Sequence, residues 1–359
     1  MEIRLEETRG TAVVFRGRSF ESIKESEVFG GNVRVLKDGG WGFVSFSSLD
    51  DIRNKALSAL EYAKTVSKYT DSPVKLAVVP VVVDEVKADM INDPRDIPLD
   101  RKVAIIKDYA ALILSQSESI NTAVLSYFDT ISKVHFVNSE GTALIQESLQ
   151  LGLHASATAV KGDITQINAE SFSSSNDFNI ALNRHGAIAD MCKTAVKFLD
   201  AEVIKGGAYP VICAPLVTGV FIHEAFGHLS EGDNVFKNKK LQKIMVLGRE
   251  FGRPILSVYD SGLEKGKRGY MIYDSEGVKT EKTYLIKNGI LVGRLHTRET
   301  ASAMNERPTG NARAIDYKFP PIPRMRNTAI EPGDTSFDDM IKDIKLGIYA
   351  KKPQGGQTG

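Results

Sequence analysis

The chain has 359 residues, 42% hydrophobic and 25% charged, and 46 basic side chains stand against 45 acidic ones for a net charge of +1. That balance supplies no global field to recruit nucleic acid or an anionic membrane, and the composition excludes disordered and fibrous classes. Only Cys192 and Cys213 are present, which excludes a disulfide scaffold and fits a reducing cytoplasm.

Both cysteines lie in apolar segments and read as small buried hydrophobes. No basic stretch leading into an apolar run opens the chain, so nothing suggests export, and a cytoplasmic location is expected. The longest uncharged run, Gly206 to Ile222, is interrupted by Pro210 and Pro215 and is short for a membrane span. The length accommodates two domains, each with its own core.

The first segment reads as strands at Thr11–Phe15 and Asn32–Lys37, with a turn at Lys37–Trp41 leading into Gly42–Phe46. Ser48 is expected to open a helix running to about Val66, with Asp51 as the acid of its cap. A second helix is predicted from Leu99 to Ser117, with Val103, Ile106, Ala110 and Ile113 inward. From Thr122 to Ser173 alternation predicts an antiparallel meander: Ala123–Phe128, Lys133–Asn138, Ala143–Gln146, His154–Val160 and Thr165–Ile167. His135 and His154 fall within these strands and read as surface or satisfied core positions. A helix from Gly186 to Leu199 and the Lys205-Gly-Gly207 punctuation place a boundary near residue 200.

The second part begins with an apolar strand ending at Cys213, then a helix with Thr218 at its N-cap and Gly232 as a left-handed stop. A helix from Lys239 to Phe251 and a strand from Pro254 to Tyr259 follow. The basic run Lys237–Lys243 reads as a solvated face. Thr283 to Leu295 is a hairpin pattern, two apolar strands around Asn288-Gly289, the preferred pair for a type I′ turn. Ser336, with Asp339 three residues on, is expected to cap a final helix from Phe337 to about Ile348. The expected class is α+β. It comprises a mixed α/β N-terminal domain with an antiparallel meander, over residues 1–200. A C-terminal domain of twisted antiparallel sheets, residues 201–359, carries the metal-motif helix.

The chemistry concentrates in Phe221-Ile-His-Glu-Ala-Phe-Gly-His-Leu-Ser-Glu-Gly-Asp233. Neutral imidazole is the commonest protein ligand for zinc, and a neighbouring carboxylate is the usual base for an activated water. The familiar spacing is H-E-x-x-H, but here His228 follows His223 by five residues, which leaves the rings roughly 140° apart on an ideal helix. One residue absorbed as a π-bulge brings them to roughly 40°, and Gly227 makes such a distorted turn cheap. Such groups are often merely solvated on a helix surface, but these end an apolar approach, where burial needs a reason. His223 and His228 are therefore the predicted metal ligands and Glu224 the predicted base. Glu231 and Asp233 are candidates for a further ligand or, more readily, for a group that orients a histidine. Cys213, His185 and His296 read as structural, which leaves the third ligand of a catalytic zinc without an obvious source.

With these residues in view, the chain resembles the TldD side of the TldD/PmbA (TldE) family of metalloproteases. The family signature H-E-x-x-x-H plus an acidic stretch is matched by His223–His228 and Glu231–Asp233. Further matching segments are Asn32–Leu36, Gly40–Phe43, Asn138–Gly141, Asp274–Gly277, Leu285–Gly289, Thr309–Asn311 and Arg324–Thr328, in the family's order. The resemblance implies a zinc (Zn2+) peptidase acting on extended peptides and unfolded proteins, in peptide maturation and degradation. It also implies pairing with a TldE/PmbA-like subunit or a second copy. In the family the third zinc ligand is a cysteine in a Gly-rich segment near the C-terminus. This sequence departs there, at Lys352–Gly359, and neither Cys192 nor Cys213 has a matching context, so the expectation is a chain lacking that segment. Two rivals stand beside this reading: a zinc exopeptidase with an H-E-x-x-G-H arrangement, and a structural subunit without catalysis. No nucleic-acid module is recognisable.

Overall fold

The computed structural model describes residues 1–353, so the terminal segment of the Lys352–Gly359 departure, residues 354–359, lies outside the described residues. Three strands, β1 (Glu2–Gly17), β2 (Ser19–Lys37) and β3 (Gly40–Phe46), precede helix α1 (Ile52–Ser67) and the short β4 (Val83–Val86). Helix α2 (Leu99–Ser115) leads into β5 (Ile120–Asn138), β6 (Ala143–Lys161), β7 (Ile164–Ser174) and helix α3 (His185–Lys197). One seven-stranded sheet results, in the order β3-β2-β1-β5-β6-β4. The edge of β6 is shared: β4 pairs in parallel with residues 143–146, and β7 pairs antiparallel from residue 151 onward.

The two faces of this sheet have different tasks. Because side chains alternate along a strand, odd-numbered residues such as Val13, Leu125, Tyr127, Leu153 and Ala155 share one face. Against them pack Ile106, Tyr109, Ala110 and Ile113 of α2 and Ile188, Met191, Cys192 and Ala195 of α3, each set spaced i, i+3, i+4, i+7. Even-numbered residues at the other end turn the opposite way, in aligned cross-strand rows Arg4–Phe136–Leu144 and Glu6–Val134–Gln146. They meet the second half of the chain.

That half contains β8 (Val211–Cys213), α4 (Pro215–Ile222), α5 (Gly232–Lys237), α6 (Lys239–Ile244), β9 (Val258–Ser261), β10 (Lys282–Lys287) and β11 (Ile290–Leu291). It continues with α7 (Arg298–Met304), β12 (Ala312–Arg313), β13 (Ile322–Pro323), β14 (Asn327–Ile330), α8 (Phe337–Ile341) and β15 (Ile348–Ala350). A four-stranded antiparallel sheet, β11-β10-β9-β14, is its centre, with small pairs β12-β13 and β15-β8 beside it. A second core gathers Ile222, Phe226, Val235, Met245, Val258, Leu285, Leu291, Leu295 and Met325. The fold is α+β, with antiparallel pairing dominant. No helix among the described residues is long and apolar enough to cross a membrane.

Several local expectations give way. The meander strands are longer than their alternation suggested: β5 and β6 run 19 residues each, through polar positions such as Asp129. Ser48 does not cap α1; Asp51 does, in a left-handed conformation (φ 60°) and without a side-chain bond to the helix backbone. The helix expected to Phe251 ends at Ile244, after which Met245 is buried and Gly248 turns the chain at φ +87°. The following strand is displaced to β9. Ser336 caps α8 through Asp339 N–H, but α8 stops at Ile341 and Ile348–Ala350 form a strand. Asn288 (φ 50°) and Gly289 (φ 80°) adopt the two left-handed conformations that a type I′ turn requires. Cys192 is buried, whereas Cys213 is exposed, because β8 has only β15 for a partner.

Candidate metal centre

Helix α4 starts at Pro215, whose fixed φ suits the first helical position, behind an extended Ala214. Thr218, expected to be the cap, lies inside the helix and donates its hydroxyl to the carbonyls of Ala214 (3.1 Å) and Cys213 (3.3 Å). Ile222 and Phe226 enter the second core, which fixes the helix face that points away from the metal motif. Over His223–Gly227 the helix widens into a π turn: His228 N–H donates to the His223 carbonyl, five residues back.

That one-residue expansion brings the two imidazoles onto one face. Their ring centroids lie 4.9 Å apart at 81°. Ligating atoms of His223, Glu224 and His228 all fall within 4.8 Å of one another, and His228 Nε2 is 3.9 Å from Glu224 Oε2. Gly227 takes an ordinary helical φ of −57°, so its role is space, not a strained dihedral. A Cβ there would lie 2.1 Å from Met325 Sδ.

The end of this helix is tied down from outside. Leu295 N–H donates to the Ser230 carbonyl (2.9 Å), Gly232 N–H donates to the Leu295 carbonyl (2.8 Å), and Asn234 Nδ2 donates to the His228 carbonyl (3.2 Å). These bonds satisfy groups that a helix terminus leaves orphaned. Gly232, expected as a left-handed stop, instead opens α5 and has no positive φ. A side chain at 232 would meet His296 Nδ1 at 2.5 Å.

The remaining candidates separate by position. Glu231 is 1% exposed and accepts from His228 Nδ1 (3.3 Å) and from Arg324 (3.2 Å). Its contact is with the far nitrogen of His228, outside the convergence of ligating atoms. Asp233 lies 3.9 Å from Arg324. Among the described residues Glu231 Oε1 and Asp233 Oδ1 are buried without partners. Burial pushes the Glu231 carboxyl above its ordinary range, opposed by the positive charge of Arg324 and by His228. Burial, and then the neighbouring His228, hold His223 below the ordinary imidazole value, which favours the neutral ring a metal needs. His296 is buried between Thr300 (3.0 Å) and Glu306 (3.1 Å), against Gly232 but outside the convergent three, and His185 pairs with Asp108 at the surface (2.7 Å). Arg324 and Met325 border the motif although sequence reasoning gave them no such place; distant in sequence, they carried no local spacing signal.

The donor set fits a borderline-soft divalent cation. Two imidazoles and a carboxylate converge, one ring nitrogen of His228 is held by Glu231, and its other nitrogen faces the convergence.

Comparison with known proteins gives a consistent result. Family models match three stretches, described as PmbA/TldA metallopeptidase domain 1 over 1–63, central domain over 92–200 and C-terminal domain over 206–359. A metalloprotease of Synechocystis sp. is 39% identical over 363 residues, covering 100% of this chain and 77% of that protein. A metalloprotease of Methanocaldococcus jannaschii is 33% identical, covering 99% of this chain and 79% of its own length. The zinc metalloprotease TldD homologue of Saccharolobus solfataricus is 29% identical, over 92% of this chain and 72% of that one. Among solved structures, TldE from Thermococcus kodakarensis superposes with a TM-score of 0.77 at 19% identity, covering 100% of this chain and 80% of that one. A Thermotoga maritima protein described as a modulator of DNA gyrase gives 0.81 at 20% identity, over 99% and 78%. These two likenesses establish the fold.

Proposed function

The chain belongs to the PmbA/TldD metallopeptidase family, and from that premise we propose that it is a zinc-dependent peptidase acting on extended or unfolded peptides, with a TldE-like subunit or a second copy as partner. The observation that carries this reading is the π turn that brings His223, Glu224 and His228 within 4.8 Å. His223 and His228 would hold the ion. Zinc supplies Lewis acidity towards a scissile carbonyl and towards water. Glu224 stands beside His228 Nε2 as the group that takes a proton from the attacking water and returns it to the leaving amine. Glu231 fixes the His228 ring by accepting from Nδ1, and Arg324 holds Glu231 in turn.

Strand β14 is an edge of the four-stranded sheet and lies against the π turn. An extended peptide pairing along that edge would gain affinity from backbone bonds with little sequence selection. One observation favours a second reading: among the described residues no further His, Cys, Asp or Glu joins the convergent three. On that reading the chain is a structural subunit whose site needs a donor from elsewhere.

Zinc affinity, read by competition with a chelating dye, separates the two. His223→Ala and His228→Ala are each expected to weaken zinc binding by at least about tenfold. Glu224→Gln should keep zinc and lose hydrolysis of an unstructured peptide by about two orders of magnitude or more. Equal zinc affinity in all four proteins would remove the peptidase reading.

A further inference from the structure

Where the even-numbered face of the long sheet meets the second half of the chain, there is a cavity of about 480 Å³. Its lining includes four guanidinium groups, Arg4, Arg268, Arg313 and Arg326, and two carboxyls, Glu6 and Asp274. The two acids offset only part of that charge: Glu6 is paired with Arg4, and Asp274 acts on Arg326. Glu6 accepts from Arg4 (3.2 Å), and Asp274 accepts from the backbone N–H groups of Glu276, Val278 and Ala312 (2.9, 2.9 and 3.0 Å). Two of the arginines keep unused donors: the Nε atoms of Arg4 and Arg326 are buried without hydrogen-bond partners among the described residues. A buried donor left unpaired is costly, so such a site waits for an acceptor.

Arg313, which lines the cavity, is linked to the metal motif through Met325. Arg313 donates to the Met325 carbonyl (3.4 Å), and Met325 Sδ occupies the space that the absent side chain of Gly227 leaves on the π turn. We propose that this cavity is a carboxylate subsite of the peptidase, taking the C-terminal carboxylate or an acidic side chain of the peptide on the planar forks of Arg313, Arg326 and Arg268. The inference rests on the peptidase reading and names its substrate class. Guanidinium matches a carboxylate through two parallel bonds, which a hydrated ammonium does not. Burial lowers the basicity of Arg313 and Arg326; the Arg324 charge adds to this at Arg313 against Glu231 and Asp260, and at Arg326 Asp274 opposes it while the Arg313 charge adds to it. An incoming anion relieves that repulsion.

The test is binding by fluorescence anisotropy, in a chelator so that no hydrolysis intervenes. Three labelled six-residue peptides are compared: a neutral one with a free C-terminal carboxylate, its C-terminal amide, and an amide carrying one internal Glu. The free acid is expected to bind about tenfold or more tightly than the neutral amide. Recovery of affinity in the Glu-containing amide assigns the subsite to acidic side chains, and no recovery assigns it to the terminus. Arg313→Gln and Arg268→Gln, each checked for folding by circular dichroism, should each erase most of the preference. Equal binding of acid and amide, no binding of either, or a preference that survives both substitutions overturns the proposal. Zinc affinity measured on chelator-free portions of the same proteins decides the peptidase reading separately, so the two failures are distinguishable.

Discussion

Glycine at 227 and the carboxyl at 231 show how single atoms decide the shape of the metal motif. Gly227 carries no dihedral strain; it leaves room for Met325 Sδ, which would otherwise stand 2.1 Å from a Cβ. Gly227→Ala should therefore destabilise by about 1–3 kcal/mol, the usual cost of overpacking. Met325→Ala, which empties the same space, should cost less in the Gly227→Ala background than alone. Denaturant midpoints for the four proteins of the cycle check this, and additive effects would show that the two positions do not compete. The H-E-x-x-x-H spacing was legible because an extra residue between ligands can be absorbed in few ways. The reason for the glycine was not, since Met325 lies 98 residues along the chain and only folding brings it there.

At the scale of elements, the helices α2 and α3 were readable from periodicity, and the Asn288-Gly289 hairpin from its turn pair. The long strands were not, because Asp129, which accepts a hydrogen bond from Tyr127 and pairs with Lys102, interrupts the apolar pattern inside a continuous strand. Local pattern reads a buried polar residue as a break; a buried ion pair lets the strand continue. The turn from Asp274 to Val278 makes a measurable case of the same physics. Burial, and then the like charge of Glu276, push the Asp274 carboxyl from 3.8 up to about 7. The unfolded chain ionises this group first as pH rises, while the folded chain retains its proton. Its contribution to stability is thus full below pH 3.8 and is lost progressively up to about pH 7. Relative to Asp274→Asn, the parent should lose stability across that interval in urea titrations. A difference between the two proteins that stays flat with pH would contradict the assignment.

For the whole molecule, the decisive contacts are polar and join distant parts of the sequence. Arg34 donates to Glu2 (2.7 Å) and Glu276 (2.9 Å); Glu276 also accepts from Arg298 N–H (2.8 Å), and Arg298 holds Glu140 through two bonds (2.6 and 2.8 Å). Gln146 completes the junction by bonding both backbone groups of Tyr273 at 3.0 Å. Arg34→Ala leaves Glu2 and Glu276 buried without their partner and should cost about 3–5 kcal/mol in denaturant unfolding, as broken buried pairs do. A loss below about 1 kcal/mol, the range of exposed pairs, would mean that water already screens this hub. The same distance in sequence hid the arginine-lined cavity. Arg4, Arg268, Arg313 and Arg326 form no run, so no charge pattern announces them.

The position of β1 between β2 and β5 also has a consequence for biosynthesis. Its hairpin partner emerges from the ribosome at once, but β5 begins only at Ile120. At about 5–20 residues per second, one edge of the central strand waits roughly 5–20 s for its neighbour. Through that interval Arg4, Glu6, Glu7 and Arg9 are spread along the strand, and such charges keep an open edge from pairing with another nascent chain. Side chains that later line a cavity thus serve first as guards of an unfinished sheet.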